Sequence, residues 1–339
     1  MTLEIAFLDV GNADSIVILP PGSSAIIIDA PKPRRIQERL EDRERITIDC
    51  LYFTHDHRDH LPSLSVLKTF VAEWLKKGKL NFLCLPSGAA DKARKLADSN
   101  KDARLRDALD RLSLWEEEKE FEVIRAERGP LPHRFGEVVI YVLHPRFLFS
   151  ERHSATHPHK VNETALVLRV EYGEFSALLL ADVEQTGLTK LLGLCSDDEL
   201  QCQIVKIPHH GAWQTNESDI QSLLERANPE FAVLSVGSRN QHGHVVPELF
   251  QELLRLRDDE GKGLQNFVCT EVTRTCVYSA QERAAMGRQG LPASQPCAGD
   301  IVILAESSGE WEMLNRAEHV QHLESILHAA CCGRADLKV

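Results

Sequence analysis

The sequence predicts an α/β protein in which two packed β-sheets are sandwiched by helices, and three observations carry that prediction. Short β-branched, apolar segments alternate with helix-spaced ones along most of the chain. From residue 175 onward the order strand, loop, helix repeats, which implies parallel strands whose carboxyl ends share one edge. No repeat period and no linker composition divides the 339 residues. Residues 1–339 therefore read as one domain of two pseudo-halves, about 1–160 and 161–315, with a C-terminal helix over 316–330.

Taken in order, residues 3–10, 15–19 and 25–29 read as a three-stranded meander, turned by Gly11-Asn12-Ala13-Asp14 and Pro20-Pro21-Gly22. Asp9, Asp14 and Asp29 each fall where a strand meets a loop, a place for either a turn-capping carboxylate or one that orients a ligand. A charged link over 31–45 precedes a strand at 46–53. Helical spacing follows over 62–77, a strand over 80–85, and a charged helix over 89–115. Residues 138–143 form a strand ending in His144-Pro145, and the aperiodic 153–159 segment reads as a surface loop. A hairpin spans 164–181 around Tyr172-Gly173-Glu174 and ends in Asp182. Then come a helix over 183–194, a strand over 203–207, a helix over 220–227, a strand over 231–236 and a helix over 248–257. The closing strands are 266–270, 275–278, 301–304 and 311–314, with a loop over 280–299.

Composition narrows the function. With 43% hydrophobic residues the chain can bury a substantial core. A net charge of −12 disfavours a nucleic-acid binder that works by bulk electrostatics, yet it leaves a phosphodiester substrate open, because divalent cations invert the field at a site. Nine scattered cysteines, an odd number that includes the adjacent Cys331-Cys332, read as a reduced, cytoplasmic chain. Met1-Thr2-Leu3-Glu4 opens no secretion signal and no long apolar segment follows, so no membrane association is expected.

The chemistry centres on His55-Asp56-His57-Arg58-Asp59-His60, directly after the apolar strand and before a helix. In an extended turn His55 and His57 point the same way, while Asp59 and His60 fall on the next bend and can face a second centre. That is ligand spacing for two metal ions. Imidazole and carboxylate donors without cysteine suit zinc, manganese or iron and argue against a closed structural zinc site. Asp182, which ends an apolar strand and so needs a partner for its charge, His209 with His210, and His244 all lie at strand ends that can converge on this turn. Asp56 and Arg58 alternate with the ligands and are expected to point away.

The chain resembles the metallo-β-lactamase superfamily, whose signature His55-x-His57-x-Asp59-His60 matches in full, with Asp29 standing where the family carries a structural Asp. Within it the chain is similar to the hydrolase domain of the ComEC-type competence proteins. That similarity rests on residues 7–14, 142–145, Asn162 to Leu168, Ala181-Asp182, 206–211 and 235–244, in the family's order and reaching to about residue 304. Ala13, Ala181 and Val245 depart from the usual Gly, Gly and Pro, and Asn162 stands where much of the superfamily has a further His ligand. The membrane segments and nucleic-acid-binding module of ComEC proteins have no counterpart here, so DNA uptake is not implied.

The resemblance implies a four-layer αββα sandwich. It also implies two divalent metal ions (zinc or manganese, with iron also accepted): His55, His57 and His209 on one, Asp59 and His60 on the other, and Asp182 bridging. His144 and His244 are the alternatives to His209. It further implies a phosphodiesterase or nuclease that uses a hydroxide held between the metals, with Asp59, Asn162, His210 and His244 as catalytic residues. His210 or His244 would protonate the leaving oxygen or bind a phosphate oxygen. The expected substrate is a phosphodiester, with short or single-stranded nucleic acid easier to reconcile with the acidic chain than long duplex. Hydrolysis of an ester, thioester or lactam is the alternative, as is a non-catalytic metal-binding role beside a partner protein in a bacterial defence system.

Overall fold

The computed structural model describes residues 1–45, 47–55, 57–77, 80–85, 103–118, 120–129, 132–157, 160–212, 217–259, 263–323 and 325–326. Its first sheet begins with the expected meander, β1 (Thr2–Phe7), β2 (Ile16–Leu19) and β3 (Ser24–Ile28). It continues through β4 (Thr47–Tyr52), β5 (Leu80–Leu85) and β6 (Glu122–Arg125). The second sheet contains β7 (His133–Phe135), β8 (Val138–His144), β9 (Val167–Tyr172), β10 (Phe175–Leu179), β11 (Ile204–Lys206), β12 (Phe231–Leu234) and β13 (Asn266–Cys269). The chain then returns to the first sheet as β14 (Ile301–Glu306) and β15 (Trp311–Met313). The strand orders are β15-β14-β1-β2-β3-β4-β5-β6 and β13-β12-β11-β10-β9-β8-β7.

Period-two alternation divides each strand between two cores. Leu3, Ile5 and Phe7 of β1 pack between the sheets with Val138, Ile140 and Leu168 of the second sheet. The other face of the first sheet, with Val17, Ile27, Ile48 and Leu51, is covered by α1 (Pro33–Asp42), α2 (Leu64–Lys77) and α3 (Ala103–Glu117). The outer face of the second sheet packs on α5 (Gln185–Leu194), α6 (Asp197–Leu200), α7 (Glu217–Ala227) and α8 (Pro247–Asp258). These layers make the αββα sandwich that the sequence implied. Strands buried on both faces read as unbroken apolar runs, as in Ile16-Val17-Ile18-Leu19, every residue of which is buried.

Several elements differ from expectation. The charged link is a helix, α1, opened by Pro33 and buried only through Ile36 and Leu40; a two-residue apolar stripe is too thin to stand out among Arg and Glu. The 153–159 loop is largely the end of α4 (Phe147–Thr156), where Ser, His and Thr mask the helix. The strand at 275–278 is a single helical turn, α9 (Arg274–Val277). The 280–299 loop contains α10 (Ala280–Met286), whose start is fixed by a capping box between Ser279 and Glu282. The strands β6 and β7 are too short for a periodicity signal. The C-terminal helix, α11, covers Arg316–Leu323, and Ser325 and Ile326 lie beyond it in a turn; residues 324 and 327–330 of its expected span, residues 89–102 of the charged helix, residues 158–159 of the expected loop, and Asp56 lie outside the described residues. Among the described residues no helix is long and apolar enough to cross a membrane.

β3 to β6 pair in parallel, as do β10 to β13. The carboxyl ends of both parallel sets open on one edge of the sandwich. Away from them the sheets meet at Gly173 in the β9–β10 turn, where Glu174 N donates to Ser307 O at 2.8 Å. Gly173 has φ +60°, and a Cβ there would lie 2.2 Å from Ser307 O; Gly136 has the same φ with nothing within 4 Å. Gly136→Ala is expected to cost only the left-handed strain of about 1–2 kcal/mol. Gly173→Ala should cost clearly more, since backbone must also move, and chemical denaturation of the two variants side by side measures the difference.

Candidate metal centre

Two sheets each contribute half of a polar cluster at that edge. After β4 the chain passes through Thr54 and His55 into a tight turn, in which His60 N and Leu61 N both donate to His57 O. This turn is tied to neighbouring strand ends by Asp14 N to Asp59 O (3.2 Å) and Ala30 N to His60 O (2.9 Å). From the second sheet, β10 delivers Asp182 and β11 delivers His209 and His210. Those two histidines have φ of 48° and 54°, backbone that L-residues seldom adopt. Successive left-handed residues send their side chains apart: His210 is buried, whereas His209 remains partly exposed.

Asp182 is the meeting point. Its Oδ2 lies 3.3 Å from His60 Nε2, 3.5 Å from His210 Nε2, and 3.9 Å from both His55 Nε2 and His209 Nε2. His210 Nε2 is also 3.6 Å from Asp59 Oδ2, and His55 Nε2 is 3.2 Å from His57 Nδ1. Two donors on one tetrahedral zinc at ~2.0–2.1 Å would sit roughly 3.3–3.4 Å apart, so these spacings fit ligands of common ions better than they fit a hydrogen-bonded network. His60 Nε2, His210 Nε2 and Asp182 Oδ1 are buried and make no hydrogen bond. Orphaned buried polar atoms are costly, and a divalent cation satisfies all three. Two ligand groups are centred on this cluster, Asp59 with His60, Asp182 and His210, and His55 with His57 and Asp59; a third, Asp14 with Asp29, shares His60 with the first.

The surrounding residues hold these donors in place. Asp29, fully buried, accepts from Thr54 N (2.8 Å) and Thr54 Oγ1 (2.7 Å) and lies 2.6 Å from His60 Nδ1. That contact fixes the His60 ring so that Nε2 faces the cluster. His210 Nδ1 donates to Ser235 O at 2.9 Å with the same effect. Behind both rings Lys206, wholly buried, forms an ion pair with Asp14 and donates to Ala181 O at 3.1 Å. The three aspartates at the strand ends thus separate in role: Asp9 caps its own turn through Gly11 N, Asp14 neutralises Lys206, and Asp29 orients a ligand.

Protonation follows from these contacts. Burial would push the Asp182 carboxyl up, but the charges of His210 and His60 hold it well below its ordinary range. Burial likewise opposes ionisation of Asp59, and the adjacent His210 and His60 outweigh it. Burial, with His60 beside it, drives His55 far below the usual histidine value, leaving its lone pair available. For His60 burial is overcome by Asp182 and Asp29, which raise it. Burial and the neighbouring His209 and His210 push His244 down to about 3.

The remaining sequence candidates divide clearly. His209, expected as the third imidazole of the first ion, is turned toward Glu184, 3.2 Å from its Nδ1, and it is His210 that joins Asp59, His60 and Asp182. Asn162 donates to the same Glu184 at 2.8 Å, so Asn162, Glu184 and His209 form a chain on one flank. His244 stacks edge-on to His209 with ring centroids 5.4 Å apart. His144 is removed from the centre: its Nε2 is occupied by Glu163 O at 2.8 Å. Sequence reasoning passed over Thr54, Glu184 and the Lys206–Asp14 pair. A lysine inside the apolar run Ile204-Val205-Lys206-Ile207 was the one available signal, because such a cation must find a buried partner.

A four-layer αββα sandwich with a His-x-His-x-Asp-His turn at the carboxyl ends of its strands is the metallo-β-lactamase fold, and this chain is a metallo-β-lactamase-fold protein with a candidate divalent-metal centre. No family model matches it. The ComEC-like resemblance is supported by a distant relative, ComE operon protein 3 of Bacillus subtilis (strain 168), 24% identical over 301 residues, which cover 81% of this chain and 34% of that protein. The chain thus spans about a third of the length of the curated relative it matches. Among solved structures, the metallo-β-lactamase fold protein YhfI from Bacillus subtilis is 12% identical (TM-score 0.42; 68% of this chain, 85% of that one). The short form of human tRNase Z is 11% identical (TM-score 0.38; 68% and 92%), and a diphosphatase from the PhnP family is also 11% identical (TM-score 0.38; 69% and 85%).

The Asp29–His60 contact carries a direct expectation. Asp29→Asn keeps the shape but gives up the carboxylate's grip on His60, and should weaken zinc or manganese binding roughly 10- to 100-fold, as read by competition with a chromogenic chelator.

Proposed function

We propose that the protein is a metal-dependent hydrolase of phosphodiesters, a nuclease or phosphodiesterase, holding two divalent ions. The observation that carries this reading is the convergence of four imidazoles on one buried carboxylate, Asp182. In our assignment His55 and His57 bind one ion, Asp59, His60 and His210 bind the other, and Asp182 lies between. Zinc, manganese and iron all accept such a donor set. Bound there, two such ions supply a water acidified toward neutral pH and neutralise charge on the substrate.

The chain's own residues do the rest. His209 faces the cluster through Nε2 while Glu184 holds Nδ1. A carboxylate behind an imidazole favours its protonated form, and burial is overcome by Glu184 in raising His209. We assign His209 the delivery of a proton to the leaving oxygen, a role the sequence assigned to His210 or His244. His244 is kept neutral by burial and serves as a hydrogen-bonding contact to a phosphate oxygen. Asn162, donating to Glu184, is a positioning residue for this flank. A phosphodiester is favoured over a carboxylic ester by the similarity to the ComEC-type domain.

Metal-loaded protein is expected to turn over bis-p-nitrophenyl phosphate and linear single-stranded DNA but not a p-nitrophenyl acyl ester, and Asp59→Ala should reduce turnover by on the order of 100-fold or more. Ester turnover without phosphodiester turnover would overturn the proposal. His244→Ala should lower kcat/KM by roughly 10- to 100-fold. Its pH–rate profile should keep the wild-type acidic limb, because a group neutral down to about pH 3 does not titrate in the working range; a displaced acidic limb would return His244 to the role of proton donor.

A further inference from the structure

A cleft of about 540 Å³ opens beside the metal centre and shares Asp59 with it. Its walls come from both halves of the molecule: Lys32 immediately before α1, Arg58 in the histidine turn, and Arg239 with His242 in the loop after β12. The start of the loop after β12 packs closely on the turn after β1, since a Cβ on Gly237 would lie 2.3 Å from Asn12 N. The loop carrying Arg239 is braced by Asn240, which donates to Gly237 O and His244 O (both 2.7 Å) and accepts from His244 N (2.7 Å). His242 connects the cleft to the centre, its ring 5.6 Å from that of His244.

The charge of this cleft is opposite to that of the chain. Acidic residues outnumber Lys and Arg by 51 to 39 overall. Elsewhere cations are commonly matched: Arg39 and Arg43 to Glu4, Arg128 to Glu199, Arg226 to Asp197, Arg255 to Glu225 and Glu252. Lys32, Arg58 and Arg239 are exposed, and among the described residues none forms an ion pair. Among the described residues that line the cleft, their one carboxylate neighbour, Asp59, is turned to the ligand cluster. Three cations converging from separate elements, two of them guanidiniums able to grip phosphate bidentately, make a site for an anion other than the reacting one.

Resting on the phosphodiesterase reading, we infer that this cleft binds a phosphate flanking the scissile one, so that the substrate is a short single-stranded nucleic acid and not an isolated phosphodiester. Arg58, which the alternation of the histidine turn predicted to face away from the metals, does so into this cleft and so measures position along the strand.

The test compares Lys32→Ala/Arg58→Ala/Arg239→Ala with a charge-matched triple of exposed cations elsewhere, Lys76→Ala/Arg134→Ala/Arg316→Ala. Substrates are bis-p-nitrophenyl phosphate, with one phosphorus, and labelled hexathymidylate. On the small substrate both triples should keep kcat/KM within about 3-fold of wild type, whereas on hexathymidylate only the cleft triple should fall, by roughly 30-fold or more, with a salt slope shallower by about 0.7 per lost phosphate contact. Equal losses on both substrates, or an equal loss in the control triple, would overturn the inference. Should the wild type turn over neither substrate, the phosphodiesterase reading fails on its own; anisotropy of hexathymidylate then decides this inference, which unchanged affinity in the cleft triple would refute.

Discussion

The structure depends on the burial of one carboxylate. Asp182 sits at the edge of a core in which Leu178, Leu180 and Val183 are wholly excluded from solvent. A charge in that position is tolerated only if opposite charge or polar partners reach it, and the chain gathers four imidazoles from two sheets around it. Much of the unusual backbone nearby serves that end: Ala181, His209 and His210 all have positive φ, as does Asp29 on the facing side. Strain of this kind persists where the surrounding structure over-determines it, and here both sheets do.

Electrostatic balance extends one layer further back. Lys206 and Asp14 place a buried ion pair behind the His60 and His210 rings, and Asp29 places another negative charge against His60. Negative charge behind an imidazole strengthens it as a donor, so the layer that never touches an ion still tunes the one that does.

The sandwich and half of the candidate centre were legible in the sequence because both rest on local signals. Apolar runs such as Ile16–Leu19 and Ile204–Ile207 announce buried strands, and the histidine turn compresses its donors into six residues. What escaped depended on contacts between distant segments. Nothing local separates His209 from His210; the distinction comes from left-handed backbone that turns one ring inward and the other toward Glu184. Thr54 looks like an ordinary polar residue until Asp29 of a neighbouring strand end is placed beside it. Helix α1 was missed because a helix resting on a sheet needs to bury only Ile36 and Leu40, whereas α10 carried a legible capping box at Ser279 and Glu282 that composition obscured.

The two ligand halves belong to different sheets, with Asp59 and His60 on one and Asp182 and His210 on the other. An ion seated among them would act as a clasp across the sandwich at this edge, much as the Gly173–Ser307 contact joins the sheets elsewhere. Affinity for metal then becomes a gauge of how faithfully the two sheets are registered. A substitution far out in the inter-sheet core, by letting the sheets slide a fraction of an ångström, would be felt at the centre as a loosened grip without altering a single donor.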